Sequence, residues 1–164
     1  MKAVAPDNKT IAFFDGDERL ATLLYAKRMS FRAFIRLSGG LEYEIIPLNF
    51  WKTRFEILEN GKTIVEFQRK WTGRILIEVI RPGHRQSFIF RLRGLFDKRF
   101  VLMDKDKREM SVLRTKFLWK GFKYEYNLMV SDSLKRGEDW LLLVILQTYL
   151  SRYILRQHRK GHRL

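Results

Sequence analysis

Cysteine is absent from this chain of 164 residues, and its absence excludes several classes of protein. Without thiols the chain has no disulfide scaffold, no thiolate metal site and no cysteine nucleophile. The absence agrees with a reducing compartment, and residues 1–10 contain no apolar stretch of the kind found in a secretory signal. We therefore expect the protein in the cytoplasm.

Histidine is scarce, with three residues in the chain, and the sequence Gly-x-Gly does not occur. His84 lies between Arg81 and Arg85 in a turn-like segment, where a solvated side chain is the ordinary case. His158 and His162 lie in the basic C-terminal segment, and no nucleophile is spaced with any histidine as a catalytic pair. The dinucleotide-binding fingerprint needs the missing glycine pattern. We expect neither an enzyme nor a cofactor.

Metal ligands are also few. His158 and His162 have the spacing of one helical turn, but a glycine separates them and no acidic residue is near. Asp104, Asp106 and Glu109 lack the glycine and the further oxygen ligands of a calcium-binding EF-hand loop. These acidic residues are better explained as formers of a hairpin turn, so we expect no metal site.

Long hydrophobic runs are missing, and the longest is Trp140–Leu146. A membrane-spanning helix needs about 20 mostly apolar residues, and Arg152 would lie deep in lipid. From Leu146 onward the apolar residues follow one helical face, opposite a stripe of Thr148, Arg152 and Arg156. The sequence therefore predicts a buried helix over 134–158, capped by the serines around Asp132 and followed by a basic tail over 159–164.

The region 11–130 is dominated by alternating apolar and polar residues, which is the pattern of half-buried strands. Phe55 and Ile57 alternate with charged neighbours, as do Trp51 and Thr53 before them, and the run from Phe122 to Val130 alternates most regularly. Asn60-Gly61 and similar turn sequences separate about ten to twelve such strands. The pattern favours a barrel or a sandwich, within a single domain over 1–164.

Phe55–Ile80 and Phe100–Leu155 each contain a strand, an acidic turn and a second strand. An apolar C-terminal helix closes the second of these stretches. In this order the chain resembles the tubby C-terminal-like superfamily, which includes the LURP-one-related proteins and the phospholipid scramblases. The resemblance implies a mainly β protein, a closed antiparallel β-barrel of about twelve strands wrapped around a buried hydrophobic helix. Trp140–Leu155 would be that helix.

Two functional features of the superfamily are not carried over to this chain. The lysine and arginine that bind phosphoinositides in tubby domains have no definite counterpart here. The proline-rich region and palmitoylated cysteines of the scramblases are missing, since the chain has three prolines and no cysteine. The resemblance therefore implies architecture rather than activity.

Positive charge is abundant, with 33 Lys and Arg against 18 Asp and Glu and a formal net charge of +15. Arginine binds phosphate oxygens through two parallel hydrogen bonds, so arginine clusters favour a phosphate-bearing partner. We expect a monomeric, non-catalytic module that is not transmembrane and binds anionic phospholipid headgroups, a membrane surface or another polyanion. The alternatives are nucleic-acid binding and a scramblase-like or structural barrel. The candidate anion-binding residues are Arg69, Lys70, Arg74, Arg81, Arg85, Arg91, Arg93, Arg156, Arg159 and Lys160.

Overall fold

The computed structural model describes residues 1–94, 96–120 and 123–161 and contains twelve strands and two helices. Each strand pairs antiparallel with the next strand along the chain, and β1 pairs with β12, which closes the barrel. This confirms the predicted fold class. The strands are β1 Lys2–Ala5, β2 Thr10–Asp15, β3 Glu18–Tyr25, β4 Ala33–Leu37, β5 Glu42–Pro47, β6 Arg54–Glu59, β7 Lys62–Arg69, β8 Ile75–Arg81, β9 His84–Arg93, β10 Arg99–Asp104, β11 Glu109–Leu118 and β12 Lys123–Val130.

Period-two alternation builds the wall of the barrel. Inward residues such as Ile45, Ile57 and Ile77 are fully or almost fully buried, while their sequence neighbours face outward. The turn between β6 and β7 places Asn60 and Gly61 at φ values of 50° and 78°, as a type I′ hairpin requires. The predicted Asn-Gly hairpin is therefore present.

The helix α2, Trp140–Gly161, fills the interior of this barrel. All residues from 142 to 151 are at most 2% exposed, so this part of the helix is covered on every side. Burying a leucine or isoleucine contributes about 1.5–3 kcal/mol, which makes the helix a large part of the core. Within the described residues, neither helix combines the length and the apolar character needed to cross a bilayer.

The start of the terminal helix differs from the sequence prediction. Instead of one helix from residue 134, a short helix α1, Asp132–Lys135, is followed by a break and then by α2. The Ser131 hydroxyl accepts a hydrogen bond from the Leu134 backbone N–H at 3.1 Å and so caps α1, as expected. The Gly137 N–H bonds back to the Leu134 carbonyl, which ends this helix one turn after it begins.

Two further differences concern the strands. The N-terminal strand β1 was not predicted, because its four residues are too few to show a clear alternation. Trp51 was predicted to face inward with Phe55, but β6 begins only at Arg54 and Trp51 is 76% exposed. The Asn49 carboxamide accepts hydrogen bonds from the Thr53 and Arg54 N–H groups and holds residues 49–53 as a loop. Phe122, predicted in the last strand, lies outside the described residues.

The meander gives the barrel two distinct ends, because successive connections alternate between them. The helix enters at the end formed by short hairpin turns and leaves among the longer loops. We call the longer loops the loop rim and the opposite side the turn end. The described residues of the loop rim are 6–9, 26–32, 48–53, 70–74, 94, 96–98 and 119–120, and those of the turn end are 16–17, 38–41, 60–61, 82–83, 105–108 and 131–139.

Candidate functional site

The predicted cluster between residues 69 and 93 is divided by the fold. Arg69, Lys70 and Arg74 lie around the β7–β8 loop, on the loop rim. Arg81 and Arg85 flank the next connection, which is at the turn end. The remaining two, Arg91 and Arg93, lie in β9. The cluster is therefore compact in the sequence but spread over both ends of the barrel.

Arg81 has a structural role at the turn end. Its guanidinium bonds to Glu59 at 2.7 Å and to Asp139 at 2.6 Å, which ties the β6–β7 hairpin to the start of α2. The hydrogen bonds to Asp139 raise the pKa of Arg81, against the opposing effect of burial. Arg81 is thus already engaged with two carboxylates.

Two more of the candidate arginines form ion pairs with acidic side chains. Arg85 lies 3.5 Å from Glu78, and Arg93 lies 3.1 Å from Glu109. By contrast, Arg74 has its Nε 3.4 Å from the Thr72 hydroxyl, and the ammonium of Lys70 donates to the Gln68 side-chain oxygen at 3.2 Å. Because both of these partners are neutral, the contacts do not neutralise the positive charges of Lys70 and Arg74. Arg91 is exposed on β9.

The end of α2 places two guanidiniums within the loop rim. Arg152 and Arg156 lie 4.7 and 5.0 Å from the centre of the Tyr25 ring. They donate to the backbone carbonyls of Asn8 and Ser30, and among the described residues neither forms an ion pair. Burial lowers the pKa of Arg156. Two half-buried positive charges therefore lie close together here.

The last two candidates follow on the same helix. Arg159 is exposed, and its guanidinium donates to the Tyr124 hydroxyl at 2.9 Å. The side chain of Lys160 lies outside the described residues, as do His162 and Arg163 of the predicted tail. Arg159 extends the positive charge of the loop rim outward.

Charge is strongly asymmetric between the two ends of the barrel. The turn end carries five acidic and five basic residues, so its formal charge cancels. The six connections of the loop rim carry two acids, Asp7 and Asp97, against nine basic residues. These basic residues are Lys9, Lys27, Arg28, Arg32, Lys52, Lys70, Arg74, Lys98 and Lys120.

Both acids of the loop rim interact with other groups of the protein. Asp7 accepts hydrogen bonds from the Lys9 and Thr10 backbone N–H groups at 2.6 and 2.7 Å. The bond from Lys9, followed by smaller effects that include the charge of Arg152, lowers the pKa of Asp7 although burial opposes it. Asp97 lies 3.4 Å from Arg114 of β11. The carboxylates therefore serve local contacts, and the basic residues dominate the potential outside the rim.

Exposed aromatic side chains accompany this charge. Among the described residues, every exposed phenylalanine or tryptophan lies on the loop rim, and the turn end exposes one large apolar side chain, Leu41. Single exposed apolar residues are common on protein surfaces, but a set confined to one end of a barrel is not. The exposed fractions are Phe50 85%, Trp51 76%, Trp71 97%, Phe96 101% and Trp119 81%.

Most of this surface was missed by sequence reasoning, although a signal was present. Aromatic and basic residues are adjacent in three loops, as Trp51-Lys52, Lys70-Trp71 and Trp119-Lys120. In a meander, every second connection lies at the same end of the barrel. Comparing alternate loops, rather than neighbouring stretches of sequence, would have brought these pairs together.

The outer wall contains a groove of about 380 Å³ across β6 to β9. Its outward-facing residues include Leu76 and Ile89, two acids, Glu66 and Glu78, and two bases, Arg54 and Lys105. The groove contains none of the predicted arginines, and its formal charges balance. It is therefore a weaker candidate for an anionic partner than the loop rim.

The fold and the surface together define a helix-filled antiparallel barrel with a basic, aromatic rim. Comparisons with family models, curated proteins and solved structures give no match to the chain. The resemblance to the tubby C-terminal-like superfamily stays a prediction.

Proposed function

We propose that this protein is a non-catalytic module that binds the surface of anionic membranes through its loop rim. The observation that carries the proposal is the charge asymmetry of the barrel, with nine basic and two acidic residues on the rim and balanced charge at the turn end. The cytoplasmic leaflet, where we expect the protein, bears a negative surface potential that attracts such a surface.

The number of rim charges is sufficient for reversible attachment. A lysine or arginine close to an anionic bilayer contributes about 1 kcal/mol. Several rim residues acting together would therefore give useful affinity without a deep binding pocket. Because the charge lies at one end, the same field would also orient the barrel as it approaches, rim first.

Nucleic acid is the second candidate, since it also attracts basic loops that carry aromatic residues. A membrane is favoured by the distribution of the aromatic side chains. They are distributed over four loops around the mouth of a barrel, whereas bases stacking along a single strand need aromatics along one continuous path.

Vesicle flotation of the purified protein tests the proposal. We expect flotation with vesicles that contain phosphatidylserine, much less with phosphatidylcholine alone, and a decrease as the salt concentration rises, because salt screens surface charge. Flotation should persist when a short DNA duplex or single-stranded RNA is added as a competitor.

Two other results would overturn the proposal. If the protein stays with the nucleic acid and leaves the vesicles, nucleic-acid binding replaces the proposal. If it binds neither vesicles nor nucleic acid at low salt, the positive charge serves solubility and the proposal is wrong.

A further inference from the structure

We infer that the loop rim does more than attract the membrane: its aromatic side chains insert into the interfacial region of the bilayer, with the barrel standing end-on. This inference rests on the proposed function and specifies its partner. The partner is an assembled bilayer that offers both anionic headgroups and accessible acyl chains, rather than a soluble phosphate compound or a headgroup alone.

The exposure of these side chains is the first argument. Trp71 and Phe96 are almost completely solvated, at 97% and 101%, so both leave apolar surface in contact with water. Transfer of that surface into an apolar environment is favourable. Tryptophan is enriched at the level of the lipid headgroups, because its ring is apolar and its N–H can still find a polar partner.

The positions of the loops are the second argument. Exposed apolar side chains occur on five of the six rim loops, including Met29 at 59%. These loops surround the exit of α2, so a flat surface laid across the barrel mouth could contact them together. Eight of the nine basic residues share these loops and would remain among the headgroups, since long basic side chains keep their charge in the polar layer.

The central helix also holds two of these loops, 26–32 and 48–53, in place. The Tyr153 hydroxyl donates to the Lys52 carbonyl at 2.8 Å, beside Trp51, and the Tyr149 hydroxyl donates to the Phe31 carbonyl at 2.6 Å. Trp119 packs edge-on against Phe117 of β11, with ring centres 5.2 Å apart. Such fixed loops lose less conformational entropy when they bind.

Near Phe96, the backbone of Gly94 closely approaches that of Asp97. Gly94 has a φ of 82°, and a Cβ at this position would lie 2.3 Å from the Asp97 carbonyl oxygen. Only glycine fits this close approach without a shift in the loop. Gly73 in the neighbouring loop has a similar φ of 84°, but the space around it is open. The steric requirement for glycine therefore applies at Gly94 and not at Gly73.

Tryptophan fluorescence can test the inference, because the four tryptophans lie at opposite ends. Trp51, Trp71 and Trp119 are on the loop rim, while Trp140 begins α2 at the turn end and is half-buried. The experiment uses four variants, each retaining one tryptophan with the others replaced by phenylalanine. They are mixed with vesicles of phosphatidylserine and phosphatidylcholine brominated near the headgroup end of its acyl chains, and flotation is measured in parallel.

The inference predicts quenching and a blue shift for the three rim tryptophans and no quenching of Trp140. Flotation without quenching of the rim tryptophans would overturn the inference and leave the proposed function standing. Quenching of Trp140 with the rim tryptophans unaffected would reverse the orientation and overturn the inference. Absence of flotation would overturn the proposed function itself and the inference with it.

A variant series separates insertion from attraction. Trp71→Ser, Phe96→Ser and Trp119→Ser together remove apolar surface without changing charge, and their exposure means that the thermal midpoint should be nearly unchanged. We expect vesicle partitioning to weaken on the order of a hundredfold, with the remaining binding more sensitive to salt. The control is Met129→Ser, which removes a side chain 71% exposed on β12 and should leave partitioning unchanged. Equal partitioning of the triple variant and wild type would overturn the inference.

Discussion

Gln147 is fully buried in the middle of α2, and its Nε2 amide donates to the carbonyl oxygens of Phe100 and Ser111 at 3.0 and 3.1 Å. These acceptors lie on β10 and β11, whose register shifts between Leu102 and Met103. A bulge of this kind disturbs the strand ladder, so a side-chain donor is useful beside it. One polar residue thus fixes the helix against the barrel wall.

Gln147→Glu should destabilise the protein much more than Gln147→Met. The glutamate would face two carbonyl oxygens, so its folded-state pKa should rise above the unfolded value of about 4.3. At pH 7 we expect a cost of roughly 3 kcal/mol or more relative to the methionine variant, which loses the hydrogen bonds without gaining a charge. The free energy of unfolding can be measured with urea.

The pH dependence supplies the check on this prediction. A raised folded-state pKa means that the protonated glutamate is tolerated below about pH 4.3 and that stability is lost as the pH rises through the folded value. The gap between the two variants should therefore narrow from pH 7 to pH 5. A gap that does not change with pH would contradict the placement of Gln147 among acceptors.

At the scale of the element, α2 serves as the core of the barrel. Leu143 is 2% exposed, and Leu143→Asp would bury an unpaired carboxylate. We expect a loss of roughly 5 kcal/mol or more, enough to unfold a domain of ordinary stability. Circular dichroism during thermal unfolding measures the effect.

Met129→Asp is the matched control for this substitution. Met129 faces outward from β12 and is 71% exposed, so the same type of replacement should cost about 1 kcal/mol or less. Thermal midpoints that are equal for the two variants would contradict a helix that fills the barrel.

Local sequence patterns predict most of these elements, but not how all of them begin and pair. The buried positions of Ile57 and Ile77 follow from alternation, and the helix follows from an apolar run too short for a bilayer. The break before Trp140 does not follow, because Ser131 is a good cap for either a short or a long helix. Closure by β1 is a long-range pairing, which local patterns cannot specify.

The candidate site was harder to predict than the fold. Arg74 and Arg81 are close in the sequence, but β8 carries the chain from one end of the barrel to the other between them. Sequence proximity therefore joined residues that the fold separates. The rim aromatics come from loops far apart in the sequence, and only the order of strands brings them to one end.

At the scale of the whole molecule, buried tyrosines determine the response to alkali. Burial is the main cause that raises the pKa values of Tyr25, Tyr126, Tyr149 and Tyr153 above 10. Their folded-state pKa exceeds the unfolded value, so this stability is complete below pH 10 and is lost as the pH rises through the folded value. Each fully buried phenol should lower the free energy of unfolding by about 1.4 kcal/mol per pH unit in that range.

Tyr149→Phe identifies one contribution to this response. It removes the hydrogen bond to Phe31, at a cost of about 1 kcal/mol at neutral pH, and should make the decline above pH 10 shallower. Urea unfolding at several pH values, with tyrosinate absorbance recorded in parallel, measures both effects. An intact fold in which all six tyrosines ionise near pH 10 would contradict the prediction.

The central claim, that the loop rim and not the overall charge binds anionic membranes, is tested most directly by two charge-reversal variants in one flotation experiment. One carries Lys27→Glu, Arg28→Glu and Lys120→Glu on the rim, and the other carries Lys105→Glu, Lys135→Glu and Arg136→Glu at the turn end. All six side chains are exposed, and both variants change the net charge equally. The account predicts that the rim variant loses at least roughly a hundredfold in binding to phosphatidylserine vesicles while the turn-end variant stays close to wild type. Equal loss in the two variants would contradict it.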